Sequence, residues 1–162
     1  MSHRALTPAS VLAVCLGLAV TATAQMNPRG EAKVTLAGKP IVVEYGRPSL
    51  KGRDMLGQAV VGQEWRMGAD SATTLTTPAA LNFGATDVPA GEYVLRAKKV
   101  SATDWVLLLK RGDDVAAEVP LQASPLDKSV EVFTIDLAQE KGQGVFRMSW
   151  GNLALSAPFA VK

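Results

Sequence analysis

The chain has 162 residues, 17 Lys and Arg against 15 Asp and Glu, and a formal net charge of +2. Acidic and basic residues are interspersed, so no concentrated basic face is expected and no nucleic-acid partner is implied. There is one cysteine, Cys15, and one histidine, His3.

Both lie in an N-terminal stretch that reads as an export signal. His3 and Arg4 make a weakly basic start, and Val11 to Val20 form an apolar run too short to span a bilayer comfortably. Ala22-Thr23-Ala24 is a small-x-small cleavage site. Cys15 sits deep in the apolar run behind Val14, which does not fit an acylation site. Residues 1–24 are therefore expected to be removed, leaving a periplasmic or secreted chain of about 138 residues and charge about +1. That chain has neither cysteine nor histidine. Disulfides, thiolate nucleophiles, Cys/His zinc sites and a histidine general base are excluded. Its length suffices for one core without staples. No second long apolar run follows, so no transmembrane segment is expected after cleavage.

Residues 25–32 read as a polar linker and 33–162 as a single domain. Val34 and Leu36 alternate with polar neighbours, Ala37-Gly38-Lys39-Pro40 turns the chain, and Ile41 to Tyr45 is a second strand close enough to pair as a hairpin. Residues 46–63 hold Gly46, Gly52, Gly57, Gly62 and Pro48, a punctuation typical of a long loop. Met55, Leu56, Ala59 and Val60 have the spacing of a short helix within it.

From Thr73 onward the pattern is β-like. Thr73 to Thr77 is β-branched, and Leu81 and Phe83 start a short strand. Val88-Pro89-Ala90-Gly91 is a tight turn. Glu92 to Lys98 alternates, and Trp105 to Leu109 is apolar on both faces, as in a central strand. Arg111-Gly112-Asp113-Asp114 turns into Val115 to Leu121. Phe133, Ile135 and Leu137 share one face, as do Phe146, Met148 and Trp150. Gly151-Asn152 has the form of a two-residue hairpin turn, and Pro158 marks the last strand, Leu153 to Val161, as an edge. Short strands, frequent turns and no long amphipathic helix predict an all-β fold: an antiparallel β-sandwich, with a β-barrel as the alternative.

Val43-Glu44-Tyr45-Gly46-Arg47-Pro48-Ser49, Lys51-Gly52-Arg53, Trp65-Arg66, Gly68-Ala69, Thr73-Thr74, Val88-Pro89-Ala90-Gly91-Glu92-Tyr93, Asp104-Trp105 and the closing Phe159-Ala160-Val161-Lys162 occur together and in order. Jointly they resemble domain of unknown function 2911, a family of exported bacterial proteins. The resemblance implies export and an all-β domain, and it brings no activity. The family pattern has threonine and asparagine where this chain has Met67 and Asp70. It often has a proline within the segment read here as 58–62, and its segment at 110–118 is often longer.

The densest grouping of charge, glycine and aromatic surface is Glu44, Tyr45, Arg47, Lys51 and Arg53 with Trp65, Arg66 and Asp70. Guanidinium forks match carboxylates and phosphates, and aromatic rings add stacking, so this loop is the expected ligand site. Its ligand would be a small anion, a glycan or an envelope protein. The competing expectation is structural: Arg47 and Arg66 pair with Glu44 and Asp70 and pin the loop to the sheet. Two further alternatives are a glycan hydrolase using the Glu44 and Asp70 carboxylates and an assembly module acting through the C-terminal edge strand. Asp113, Asp114 and Asp127 read as solvated turn carboxylates, because no calcium-loop spacing surrounds them. Arg111-Gly112-Asp113 reads as a turn rather than an adhesion signal. Ser49 and Ser71 have no histidine to activate them, and no nucleotide motif is present. No cofactor, metal or catalytic residue is assigned.

Overall fold

A computed structural model describes residues 26–162; the expected export signal lies outside the described residues. The strands are β1 (Arg29–Leu36), β2 (Lys39–Gly46), β3 (Glu64–Arg66), β4 (Thr74–Thr77) and β5 (Leu81–Phe83), then β6 (Thr86–Val88), β7 (Gly91–Lys99), β8 (Trp105–Arg111), β9 (Asp114–Glu140) and β10 (Gln143–Val161). They form a ten-stranded antiparallel sheet in the order β1-β2-β4-β7-β8-β9-β10-β5-β6, with β3 added alongside β7. β1 and β6 end the path and do not pair, so the alternative of a closed barrel is corrected. β6 turns instead toward β9, where the Thr86 hydroxyl donates to the Glu118 carbonyl at 3.1 Å.

The hairpin of β1 and β2 forms around Ala37 and Gly38, both at positive φ (48° and 72°), the geometry of a type I′ turn. β1 begins at Arg29, ahead of the expected boundary at residue 33, because the ladder continues through Gly30 opposite Tyr45 and Arg29 opposite Gly46. The polar residues of that segment occupy its solvent face.

β9 and β10 are single long strands of 27 and 19 residues. β9 pairs with β8 as far as Leu121 and with β10 from Gln122 onward, so one strand carries the sheet around a corner. The hairpin expected at Gly151-Asn152 is corrected: β10 runs straight through it. Gly151 (φ 64°) pairs with Val130 while Leu153 pairs with Pro125, which leaves residues 126–129 opposite Asn152 alone. Glycine here accommodates a bulge rather than a reversal. Within the expected edge, Leu153–Val161, β10 pairs with β9 as far as Ser156 and with β5 only at Ala160 and Val161, so each side of it is covered in part. Pro158 is tolerated because it falls between two ladders, after the pair Ser156–Gln122 and before Ala160–Asn82, where neither needs its missing N–H. The short helix expected near residues 55–60 is a set of turns, with Gln58 N–H donating to Asp54 O (3.2 Å) and Ala59 N–H to Leu56 O (3.3 Å).

Alternation sets the core. Tyr93, Leu95 and Ala97 of β7 face inward beside Trp105, Leu107 and Leu109 of β8, and all six are buried. The inner face of β2 meets that of β9, where Tyr45 donates its hydroxyl to the Ile135 carbonyl at 3.0 Å. Phe133 stands edge-on to Tyr45 (5.7 Å) and to Trp65 (5.5 Å), and Trp65 stacks on Trp150 at 5.7 Å with 26° between planes. Such contacts add about 0.5–1.5 kcal/mol each beyond the area they bury. They hold the strand β3 and the end of the loop against the sheet.

Candidate functional site

The segment between β2 and β3 starts and ends on the same place. At its start Gly46 passes over Gly68 and Ala69, which follow β3. A Cβ on Gly46 would lie 2.8 Å from Ala69 N and 2.9 Å from its carbonyl carbon. Gly68 (φ 118°) is equally confined, with the Gly46 carbonyl 2.7 Å from where its Cβ would be. Two backbones thus touch where the sequence has its glycines, and only glycine fits. The Thr73 hydroxyl donates to the Met67 carbonyl and fixes the crossing from beneath. The chain then anchors to β9: Leu50 N–H donates to Glu131 O (2.9 Å), Phe133 N–H to Pro48 O (2.9 Å) and Lys51 N–H to the Glu131 carboxylate (3.0 Å).

The residues expected to form one site are dispersed by this arrangement. Tyr45 is a core residue, and Trp65 is half-buried with its rings committed to Trp150 and Phe133. Glu44 is exposed on β2, opposite Glu31 and Thr74. Arg53 is exposed and donates its Nε–H to the Leu50 carbonyl at 3.0 Å. It lines a cleft of about 360 Å³ with Asp54, Ser129, Glu131 and Asn152. Arg66 donates to the backbone carbonyl of Asp70, not to its carboxylate. The Asp70 carboxylate accepts from the Asn27 backbone N–H at 2.7 Å and from the Asn27 amide at 3.3 Å. Asp70 itself sits at φ 60°, a region that Asp and Asn tolerate better than other side-chain-bearing residues.

The expected lock of Arg47 and Arg66 on Glu44 and Asp70 is therefore not formed; among the described residues no salt bridge joins them. Guanidinium groups instead hold the segment between β3 and β4 through its carbonyls. Arg29 does the same from β1, reaching the carbonyls of Ser71 and Ala72 at 3.4 Å each.

Arg47 differs from its neighbours. Its backbone N–H donates to the Pro28 carbonyl at 2.8 Å, and its side-chain stem covers Gly30, whose Cβ would meet Arg47 Cδ at 2.7 Å. Its Nε is buried and has no hydrogen-bond partner among the described residues. With Ser49, Lys51, Asn27 and Val132 it lines a cleft of about 260 Å³. Neither Arg47 nor Lys51 is paired with a carboxylate among the described residues. Of the whole predicted set, this pair alone is brought together with free cationic groups.

Two structural roles had no signal strong enough to find in the sequence. Arg111 lies over the Tyr93 ring at 4.5 Å and donates to the Tyr93 hydroxyl (2.8 Å) and the Ala90 carbonyl (2.9 Å). Tyr93 in turn donates to the Pro89 carbonyl at 2.7 Å, so the two side chains clamp the turn before β7. Asn27 looked like linker and proves to tie the N-terminal end to Asp70. Elsewhere, Asp87 accepts from Lys162 and from Asn82 (2.6 Å), and those bonds, Lys162 first, hold its carboxyl below the usual carboxylate range. A cavity of about 540 Å³ lies around Trp105 and contains none of the predicted site residues. Among the described residues, no group of three or more His, Cys, Asp or Glu side chains is gathered as metal ligands.

Neither a curated protein nor a solved structure matches the chain. A family model does match, over residues 27–159, from just ahead of β1 to Phe159 near the end of β10. The matched span includes Gly46, Gly68, Tyr93 and the buried aromatic residues, whose roles here are to build the fold. The chain belongs to this family, described as protein of unknown function (DUF2911).

Proposed function

We propose that the protein is an exported, non-catalytic binding module, a β-sandwich whose loop between β2 and β3 takes a small oxyanion at Arg47, Ser49 and Lys51. The observation that carries this reading is the buried Nε of Arg47, left without an acceptor beside a second unpaired cation in a cleft of about 260 Å³. A buried donor without a partner is uncommon and costly, and a phosphate, sulfate or carboxylate supplies what it lacks. Export is supported by the N-terminal pattern of residues 1–24. A two-layer sandwich is supported by the meeting of Tyr45 with Phe133 and Ile135 across the interior. Tyr45 is buried and Trp65 is half-buried with its ring stacked on Trp150, which favours an anion over a stacked sugar. Glu44 and Asp70 line none of the clefts named above, and nothing in their placement favours a hydrolase.

A thermal-shift titration of the mature protein with phosphate, sulfate and citrate, at constant ionic strength against chloride, tests this. A ligand at 100 times its Kd stabilises the native state by about 2.7 kcal/mol. The shift should vanish in Arg47→Gln and persist in Arg66→Gln, whose guanidinium serves the Asp70 carbonyl. An undiminished shift in Arg47→Gln would refute the proposal.

A further inference from the structure

The hairpin of β1 and β2 fixes which backbone groups of β1 face outward. Its two-residue turn closes on the pair Leu36–Lys39, and at the other end the Arg47 backbone N–H donates to the Pro28 carbonyl at 2.8 Å. Hydrogen-bonded and non-hydrogen-bonded pairs alternate along an antiparallel ladder. Both ends therefore assign Gly30, Ala32, Val34 and Leu36 to bonds with β2. The N–H and C=O groups of Arg29, Glu31, Lys33 and Thr35 point the other way, to the side on which β1 has no neighbour. The side chains of the same four residues are exposed.

Folded proteins blunt free strand edges by shortness, proline, bulges or inward-pointing charge. The opposite end of the path, β6, is three residues long and is tied to β9 through Thr86. β1 has none of these devices. It runs for eight residues in unbroken register with β2, contains no proline, and turns only Gly30, Ala32, Val34 and Leu36 inward. Its exposed row carries an unrelieved conflict. Glu31 stands directly across from Glu44 of β2, a like-charge pair, and neither carboxylate is paired with a cation among the described residues. Lys33, across from Val42, is paired with no carboxylate among them.

We propose that two copies of the chain pair antiparallel through their β1 edges, with Glu31 of each copy opposite Lys33 of the other. Ala32 then lies on the two-fold axis, and Arg29 of each copy faces Thr35 of the other. The outward N–H and C=O groups of this row gain partners, and each Glu31 gains the cation that β2 does not supply. The charges choose the register. A slide of two residues one way sets Glu31 on Glu31, and the other way Lys33 on Lys33. A slide of one residue sets the exposed row of one copy beside the inner row of the other. The charges also choose the partner. A strand bearing one sign of charge is repelled at Glu31 or at Lys33, whereas an antiparallel copy of β1 is attracted at both. Both copies use the same edge, so growth stops at two. No residue lining the Arg47 cleft lies on β1, so the dimer stands or falls separately from the anion reading.

Analytical ultracentrifugation of the parent protein between about 1 μM and 1 mM tests the proposal. A reversible monomer–dimer equilibrium is expected, with no larger species. Lys33→Glu and Glu31→Lys each set like charges together on both sides of the axis, at positions exposed in the monomer. Because symmetry doubles each change, either should weaken the dimer by about tenfold or more. The double exchange, Glu31→Lys with Lys33→Glu, should restore it. Thr35→Pro removes an N–H that points off the sheet, keeps the bonds to β2 and should abolish the dimer. A monomer throughout the range or assembly beyond two overturns the proposal. So does a dimer indifferent to the single substitutions or to Thr35→Pro, or one that the double exchange fails to restore.

Discussion

Gly46→Ala is the sharpest perturbation of the loop crossing. Gly46 lies outside the left-handed region, so alanine meets no backbone strain there, and the whole cost is steric. The new methyl group would fall inside the van der Waals shell of the Ala69 carbonyl oxygen, 2.8 Å from Ala69 N and 2.9 Å from its carbonyl carbon. All three atoms are backbone, so no side chain can rotate away. The turn at Gly68 and Ala69 must move off β2, straining the bond from Thr73 to the Met67 carbonyl. Overpacking of this kind costs about 1–3 kcal/mol and a lost hydrogen bond about 1 kcal/mol more. The expected loss is about 3 kcal/mol, or about 10 °C in Tm for a domain of this size. Gly57→Ala makes the control. Its Cβ would overlap a neighbour just as closely, 2.6 Å from Asp54 Cγ, but that neighbour is an exposed side chain that can swing into water. The loss there is only the bond from Gly57 N–H to Asp54, about 1 kcal/mol or less. Guanidinium unfolding followed by tryptophan fluorescence measures both. A Gly46→Ala protein within about 1 kcal/mol of the parent, or no less stable than Gly57→Ala, would mean that the backbone crossing admits a side chain.

Two other expectations follow from the same reading. Arg111→Lys should lower stability by about 1–2 kcal/mol, because lysine keeps the charge but cannot hold the Ala90 carbonyl and the Tyr93 hydroxyl with one planar fork; an unchanged thermal midpoint contradicts the clamp. Asp87 has a folded pKa below its unfolded value of 3.8, so its contribution is present above pH 3.8 and is lost as pH falls through the folded value. In Lys162→Met the Asp87 carboxyl, followed by NMR titration, should move up toward 3.8, and a carboxyl that does not move removes Lys162 as the cause.

The parts of the fold that rest on strict alternation were legible in the sequence. Tyr93, Leu95 and Ala97, then Phe133, Ile135 and Leu137, then Phe146, Met148 and Trp150 all face inward as period-two patterning requires. Gly151 was misleading because a glycine within an alternating run serves a bulge as well as a turn, and local sequence does not distinguish them. Pro158 misled for a related reason: a missing N–H marks any unpaired position, and here that position lies between two ladders inside the sheet. For the site, residue types were informative and distances were not. Tyr45 and Trp65 look alike as stacking platforms or as core, and the choice depends on Phe133, Ile135 and Trp150, more than 60 residues further along the chain. Arg66 and Arg47 are equivalent as residue types, yet one is spent on a carbonyl and the other has a buried Nε with no acceptor among the described residues.

That difference is also the most direct test of the account. Isothermal titration of phosphate into the parent protein, Arg47→Gln and Arg66→Gln, at fixed ionic strength, compares the unpartnered guanidinium with the occupied one. Binding is expected in the parent and in Arg66→Gln, and its loss in Arg47→Gln. Binding that survives in Arg47→Gln, or that disappears only in Arg66→Gln, would contradict it.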